Sequence, residues 1–184
     1  MRRLDRTQTL LAVIDIQEKF SSVIHRFDEV QRNVDRLIRG CHLLGVPFAV
    51  TEQYSKGLGH TTPELQRSIA ETYAVKPVEK ICFSSHGCAE FAEQLQRAGR
   101  KQILLAGIEA HVCIWQTALD LLDAGYEVQI VADAVSSRSA ENRDIALRRL
   151  EQEGAKLTST EMALFEMTVQ AGTDEFKAIS KLVK

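Results

Sequence analysis

No Cys-x-x-Cys pair, no histidine at zinc-finger spacing from a cysteine and no long uninterrupted apolar run occur in these 184 residues. The first two absences argue against a structural zinc site. The third argues against a membrane-spanning helix, which needs about 20 apolar residues. Charge of one sign is also lacking: 23 basic and 25 acidic residues leave a formal −2, so nothing electrostatic invites nucleic acid or an anionic membrane. No Gly-x-Gly-x-x-Gly follows the first apolar run and no Walker sequence occurs, which excludes the common dinucleotide and P-loop sites. Proline is scarce, with three in the chain, and the ten glycines are scattered. No linker, repeat or low-complexity segment divides residues 1–184, and the length suits one domain. The start, Met1–Arg2–Arg3–Leu4–Asp5, has no apolar core of the signal-peptide kind. Four cysteines, Cys41, Cys82, Cys88 and Cys113, read as free thiols of a reducing, cytoplasmic compartment.

What is present is a strict alternation of apolar runs and amphipathic helices. Leu10–Ile16 is a nearly continuous apolar run interrupted by Asp15, as in a strand buried on both faces. A helix over Phe27–Leu44 carries Val30, Val34, Leu37, Ile38 and Cys41 on one stripe and stops at Gly45. Val46–Thr51 reads as the second strand. A short helix over Pro63–Ala70 has Thr62 as N-cap, and Tyr73–Val75 reads as a short third strand. Helices at Ala89–Ala98, Cys113–Ala124 and Ala140–Glu153 end at Gly99, Gly125 and Gly154. They separate strands at Gln102–Ala106, Glu127–Val131 and Lys156–Thr158. Two further helices, near 161–170 and 174–183, finish the chain. This alternation predicts a three-layer α/β/α fold with a six-stranded, mostly parallel sheet. In the common order 3-2-1-4-5-6, strands one and four flank the switch point, beyond whose carboxyl ends ligands bind. Asp15 closes strand one and Cys113 follows strand four, so both face one crevice.

The segment Ala106–Gly107–Ile108–Glu109–Ala110–His111–Val112–Cys113 turns from that strand into a helix. A helix N-terminus favours thiolate, the nucleophilic form of cysteine. Free cysteine is also among the most buried residue types, so Cys113 reads equally well as a small core residue. Taken singly, Asp15 could equally cap a loop, and Lys80 carries no signal of its own.

Together, however, Val13–Ile14–Asp15–Ile16–Gln17, Glu79–Lys80–Ile81–Cys82–Phe83–Ser84 and Gly107–Ile108–Glu109–Ala110–His111–Val112–Cys113 resemble the isochorismatase-like cysteine hydrolases. Val131–Ala132–Asp133–Ala134 and Ser136–Ser137–Arg138–Ser139 fit the same pattern. Thr51–Glu52–Gln53–Tyr54–Ser55–Lys56–Gly57–Leu58–Gly59 is similar to the isochorismatase domain-containing branch. The resemblance implies a catalytic Asp15, Lys80 and Cys113. Asp15 would accept and return the thiol proton, Lys80 would lower the thiol pKa and orient Asp15, and Cys113 would form an acyl-enzyme on a small amide-like substrate. It further implies a cis peptide between Ile108 and Glu109 that aims the backbone N–H groups of Glu109 and Cys113 at the oxyanion. Gln17, Phe20, Tyr54, Leu58 and His111 are expected to line the pocket. Homo-oligomerisation is implied as well, with Met162, Leu164, Phe165, Met167 and Val169 either forming the contact or packing on their own sheet.

Metal-dependent relatives such as nicotinamidases carry Asp-x-His where this chain has Thr51–Glu52–Gln53–Tyr54. A lone His60 makes no metal site, so neither a metal nor another cofactor is expected. His111 beside Cys113 points a different way at a helix start, so it suits a wall or structural role. Asp133 and Arg138 suit ties for the loop after strand five. The competing functional class is a weak or inactive isochorismatase-fold protein serving interaction or redox response. Selective reactivity of Cys113 would distinguish an enzyme from it.

Overall fold

The computed structural model describes residues 3–184; Met1 and Arg2, which open the N-terminal stretch, lie outside it. Six strands carry the molecule: β1 (Thr9–Ile14), β2 (Phe48–Gln53), β3 (Val78–Lys80), β4 (Gln102–Ile108), β5 (Glu127–Ser136) and β6 (Lys156–Thr158). They form one sheet of order β3-β2-β1-β4-β5-β6 in which each neighbouring pair is parallel. The helices between them are α1 (Phe27–Leu43), α2 (Ser55–Leu58), α3 (Pro63–Glu71), α4 (Ala89–Ala98), α5 (Trp115–Asp123), α6 (Ala140–Gln152), α7 (Thr160–Thr168) and α8 (Asp174–Val183). No helix among the described residues is long and apolar enough to cross a membrane.

The two-residue repeat of a strand divides the core in two. Leu11 and Val13 of β1 pack with α1, α3, α7 and α8 on one face. Leu10, Ala12 and Ile14 pack with α4, α5 and α6 on the other. The apolar stripe of α1 is buried along its length, Val34, Leu37, Ile38 and Cys41 completely. The C-terminal stripe splits: Leu164 and Met167 are sealed in the α1-side core, whereas Met162 and Val169 are exposed.

Three local features depart from expectation. The third strand is Val78–Lys80, not Tyr73–Val75. Ala74 takes a left-handed turn at φ 51° and its N–H returns to the Ile69 carbonyl. Tyr73 lies outside the sheet, edge-on to His42 and tilted against Phe48. Second, β5 runs to Ser136, past the expected end at Val131, because a register shift lies between its pairings with Leu105 and Gly107. That irregularity lets Asp133 Oδ1 accept from Thr160 N and Oγ1 at 2.8 and 3.0 Å. Third, Thr62 precedes α3 but makes no side-chain cap.

Candidate active site

Asp15 ends β1 in a left-handed conformation, φ 54°. Its N–H donates to the Thr51 carbonyl at 3.2 Å, and the Thr51 hydroxyl donates to its Oδ1 at 2.7 Å. Gly107 makes the approach of β4 possible. A Cβ there would stand 2.1 Å from the Ile14 carbonyl oxygen, so no larger residue fits without moving the backbone.

Lys80 closes β3 opposite Gln53. Two strand spacings, about 9.6 Å, separate β3 from β1, and the lysine and aspartate side chains close that gap between them. Lys80 Nζ donates to Asp15 Oδ2 at 2.7 Å, Gln53 Oε1 at 2.8 Å, Phe83 O at 3.2 Å and Cys82 O at 3.3 Å. Both charged side chains are buried. The third strand therefore carries Lys80 itself.

Cys113 lies in a π-helical turn, Ala110–Ile114, that leads into α5. The Ile108–Glu109 peptide preceding that turn is cis. The thiol stands near enough to Asp15 for each group to shift the pKa of the other, and the Glu109 backbone acts on the sulfur in the opposite sense. The direction at Cys113 is opposite to the expected lowering. Burial, reinforced by the Asp15 charge, pushes Cys113 up to about 12, and the opposing influence of Lys80 is smaller. Lys80 has the sign expected of it but lies closest to the carboxylate. Burial also raises Asp15, against Lys80, Thr51 and Cys113, which favour its charged form. The site thus places a thiol raised by burial beside the buried Asp15–Lys80 pair.

The remaining expected residues separate by role. Gln17 is a correction: fully buried, it does not line a pocket. Its Nε2 donates to Gln53 O at 3.0 Å and Gly59 O at 2.7 Å, and its Oε1 accepts from Gln53 N at 2.8 Å. It clamps the segment that presents Gln53 to Lys80. Phe20 packs against the α1-side core. Tyr54 is half exposed and follows Gln53, its N–H on the Lys80 carbonyl at 2.9 Å. Leu58 ends α2, half-buried. His111 Nδ1 meets Ser137 Oγ at 2.9 Å. Glu109 is buried; its Oε2 accepts from Arg138 N at 2.9 Å and Nε at 3.1 Å, tying the loop after β5 to the turn before the thiol.

Among the described residues no group of three or more His, Cys, Asp or Glu side chains is arranged to hold a metal. Where metal-dependent relatives would place ligands, Glu52 Oε1 accepts from Thr61 N and Oγ1, both at 2.7 Å, and Oε2 meets His60 Nδ1 at 2.9 Å. That contact raises the pKa of His60. Thr51, Gln53 and Gly107 complete the site; in the sequence they stand within the segments that carry the resemblance, with no role assigned to them.

Comparison with known proteins agrees with this fold. The isochorismatase domain matches residues 9–162. A secreted isochorismatase effector, Isc1, of Phytophthora sojae is 40% identical, the match covering 99% of this chain and 87% of that protein. Isochorismatase domain-containing protein 2 of Danio rerio is 42% identical, with 98% and 89% covered. Among solved structures, one described as MAR1 ribonuclease from Caenorhabditis elegans superposes with a TM-score of 0.90 at 41% identity, covering 98% of this chain and 92% of that one. The YcaC gene product of Escherichia coli, described as an octameric hydrolase of unknown specificity, has a TM-score of 0.90 at 21% identity, with 99% and 91% covered.

Proposed function

The chain belongs to the isochorismatase family, and from that premise we propose that it is a metal-independent cysteine hydrolase of small amide-like substrates. Residues 1–184 form one catalytic domain in this reading. The observation that carries it is the buried ion pair of Lys80 Nζ and Asp15 Oδ2 at 2.7 Å, whose carboxylate also acts on the pKa of the Cys113 thiol. As Cys113 Sγ attacks the carbonyl carbon, its proton passes to Asp15. The oxyanion is met by the N–H groups of Glu109 and Cys113. Asp15 then gives the proton to the leaving nitrogen, the C–N bond breaks, and a thioester remains. Water attacks the thioester, loses a proton to Asp15 and releases the acid, and the sulfur recovers the proton. Tyr54, Leu58, Phe20 and His111 would form the walls. Exposed Met162 and Val169 would suit a contact between copies, in keeping with the octamer described for the Escherichia coli neighbour. The four free thiols support a cytoplasmic location.

The test is turnover of a small-amide panel with mass-spectrometric detection of the Cys113 thioester. We expect hydrolysis that survives chelator treatment and is abolished by Cys113→Ala. Unchanged turnover in that variant, or the absence of an adduct, would overturn the reading. RNA is the control substrate, because the Caenorhabditis elegans relative is called a ribonuclease. A formal charge of −2 and a buried Asp15 carboxylate both disfavour a polyanion, so no cleavage is expected.

A further inference from the structure

Four acceptors surround the Lys80 ammonium, and Asp15 Oδ2 is the one anion among them. The others are Gln53 Oε1 at 2.8 Å and the carbonyls of Phe83 and Cys82 at 3.2 and 3.3 Å. Of these three only Gln53 reaches Lys80 with a side chain, and that residue is held at both ends. Its Nε2 donates to Ile81 O at 2.7 Å, and its backbone O and N are engaged by the Gln17 amide at 3.0 and 2.8 Å. An ammonium only donates and a carbonyl only accepts. A side chain that bridges Lys80 Nζ to Ile81 O must therefore offer one acceptor and one donor. A primary amide does so, whereas a carboxylate of the same shape sets an oxygen against the Ile81 carbonyl. The neighbouring acidic side chains are committed elsewhere: Glu52 to Thr61 and His60, Glu79 to Ser55, and Glu109 to Arg138.

Resting on the cysteine-hydrolase reading above, we infer that Gln53 is a positioning residue: its neutral amide fixes Lys80 Nζ against Asp15 and leaves the ammonium's charge to that carboxylate alone. It acts through Lys80 on the proton transfer. In the proposed cycle Asp15 must be charged to take the thiol proton. A second carboxylate beside the same ammonium would divide its charge and repel Asp15, keeping Asp15 protonated to higher pH. An apolar side chain at that place would release the ammonium from one of its anchors without adding a charge.

Gln53→Glu and Gln53→Met separate the two effects, each variant being checked for a cooperative thermal melt. Turnover of the small-amide panel is followed between pH 5 and 9. Gln53→Met is expected to lower kcat about tenfold, the factor one hydrogen bond is worth, and equally at every pH. Gln53→Glu is expected to move the acid limb of the profile up by about one pH unit or more, so that its deficit is about tenfold on that limb and shrinks as pH rises. A deficit independent of pH in both variants would make Gln53 merely structural and overturn the assignment, as would a wild-type kcat in Gln53→Met. NMR titration of aspartate carboxyl carbons gives a readout free of turnover, the Asp15 signal being identified by its loss in Asp15→Asn. The Asp15 midpoint is expected to rise in Gln53→Glu, and an unmoved midpoint would overturn the inference. A midpoint that rises, in a wild type with no turnover that Cys113→Ala removes, would sink the hydrolase reading alone and leave Gln53 as the anchor of the ion pair.

Discussion

Lys80→Met keeps a long apolar side chain and deletes one charge. In the wild type, Lys80 Nζ lies 2.7 Å from Asp15 Oδ2, with both side chains nearly inaccessible. Removing one partner of a buried pair leaves the other charge uncompensated, at a cost of about 3–5 kcal/mol. Three other acceptors, Gln53 Oε1 and the carbonyls of Cys82 and Phe83, lose their donor as well. At this chain length each kcal/mol moves the melting temperature by about 2–4 °C, so a fall of about 6–20 °C is expected. The pH dependence is the sharper consequence. Burial already raises Asp15 above its ordinary value, and Lys80 is the foremost influence opposing that rise. In the variant the Asp15 pKa climbs further. A folded-state pKa above the unfolded one means that stability is regained as pH falls through the folded value, because the folded state then binds the proton more tightly. The deficit of the variant is therefore largest at neutral pH and shrinks toward acid. Urea unfolding of wild type and variant at pH 7.5 and 5.5 measures it. A loss below about 1 kcal/mol at pH 7.5, the scale of an exposed ion pair, would refute the reasoning, as would a deficit that fails to shrink at pH 5.5.

Further expectations follow from single distances. With the Cys113 thiol near 12, its alkylation rate should rise about tenfold per pH unit between pH 7 and 9, following the thiolate fraction; a plateau below pH 8 would mean a resting thiolate. Gly107→Ala places a Cβ against the Ile14 carbonyl oxygen and should cost more than about 3 kcal/mol, read by thermal melt; a melt at the wild-type temperature would show that β1 and β4 can separate. Gln17→Leu leaves Gln53 N, Gln53 O and Gly59 O without their partner. It should cost about 1–3 kcal/mol for each group left unpaired in a urea titration, and a loss under 1 kcal/mol would mean that water takes its place.

Much of the fold was legible because the core is made of uninterrupted apolar strands. Leu10–Ile14 and Ile103–Ala106 announce two-faced burial, and helix-ending Gly45, Gly99, Gly125 and Gly154 mark the intervals. The strand order places Asp15 beside the β4–α5 turn by topology alone. The third strand was misread because its three residues, Val78–Glu79–Lys80, alternate buried with exposed and look like loop, while Tyr73–Val75 has the better local composition. Pairing with the end of β2 decides the matter, and pairing leaves no trace in a segment that short. Gln17 was misread for a related reason: a polar residue near the crevice suggests a wall, but its backbone partners 36 and 42 residues away belong to register.

The charge state of Cys113 shows how burial outweighs position. A thiol at a helix start beside a lysine suggests a thiolate, yet Lys80 is held by four acceptors, one of them Asp15, and the carboxylate's charge reaches the sulfur too. Such a thiol need not ionise before it reacts. As the C–S bond forms, the sulfur loses proton affinity, while a carboxylate raised by burial gains from accepting the proton. Transfer to Asp15 thus becomes favourable during attack and not ahead of it. Once Asp15 is protonated, Lys80 faces a neutral partner, and its charge pushes the proton onward to the leaving nitrogen. Burial and the Asp15 charge thus raise the thiol, against Lys80, while in the proposed cycle the Lys80 charge drives the second half. Replacing Asp15 by asparagine would abolish proton transfer while making the thiol more acidic, an opposition that a thiolate–lysine pair would not produce.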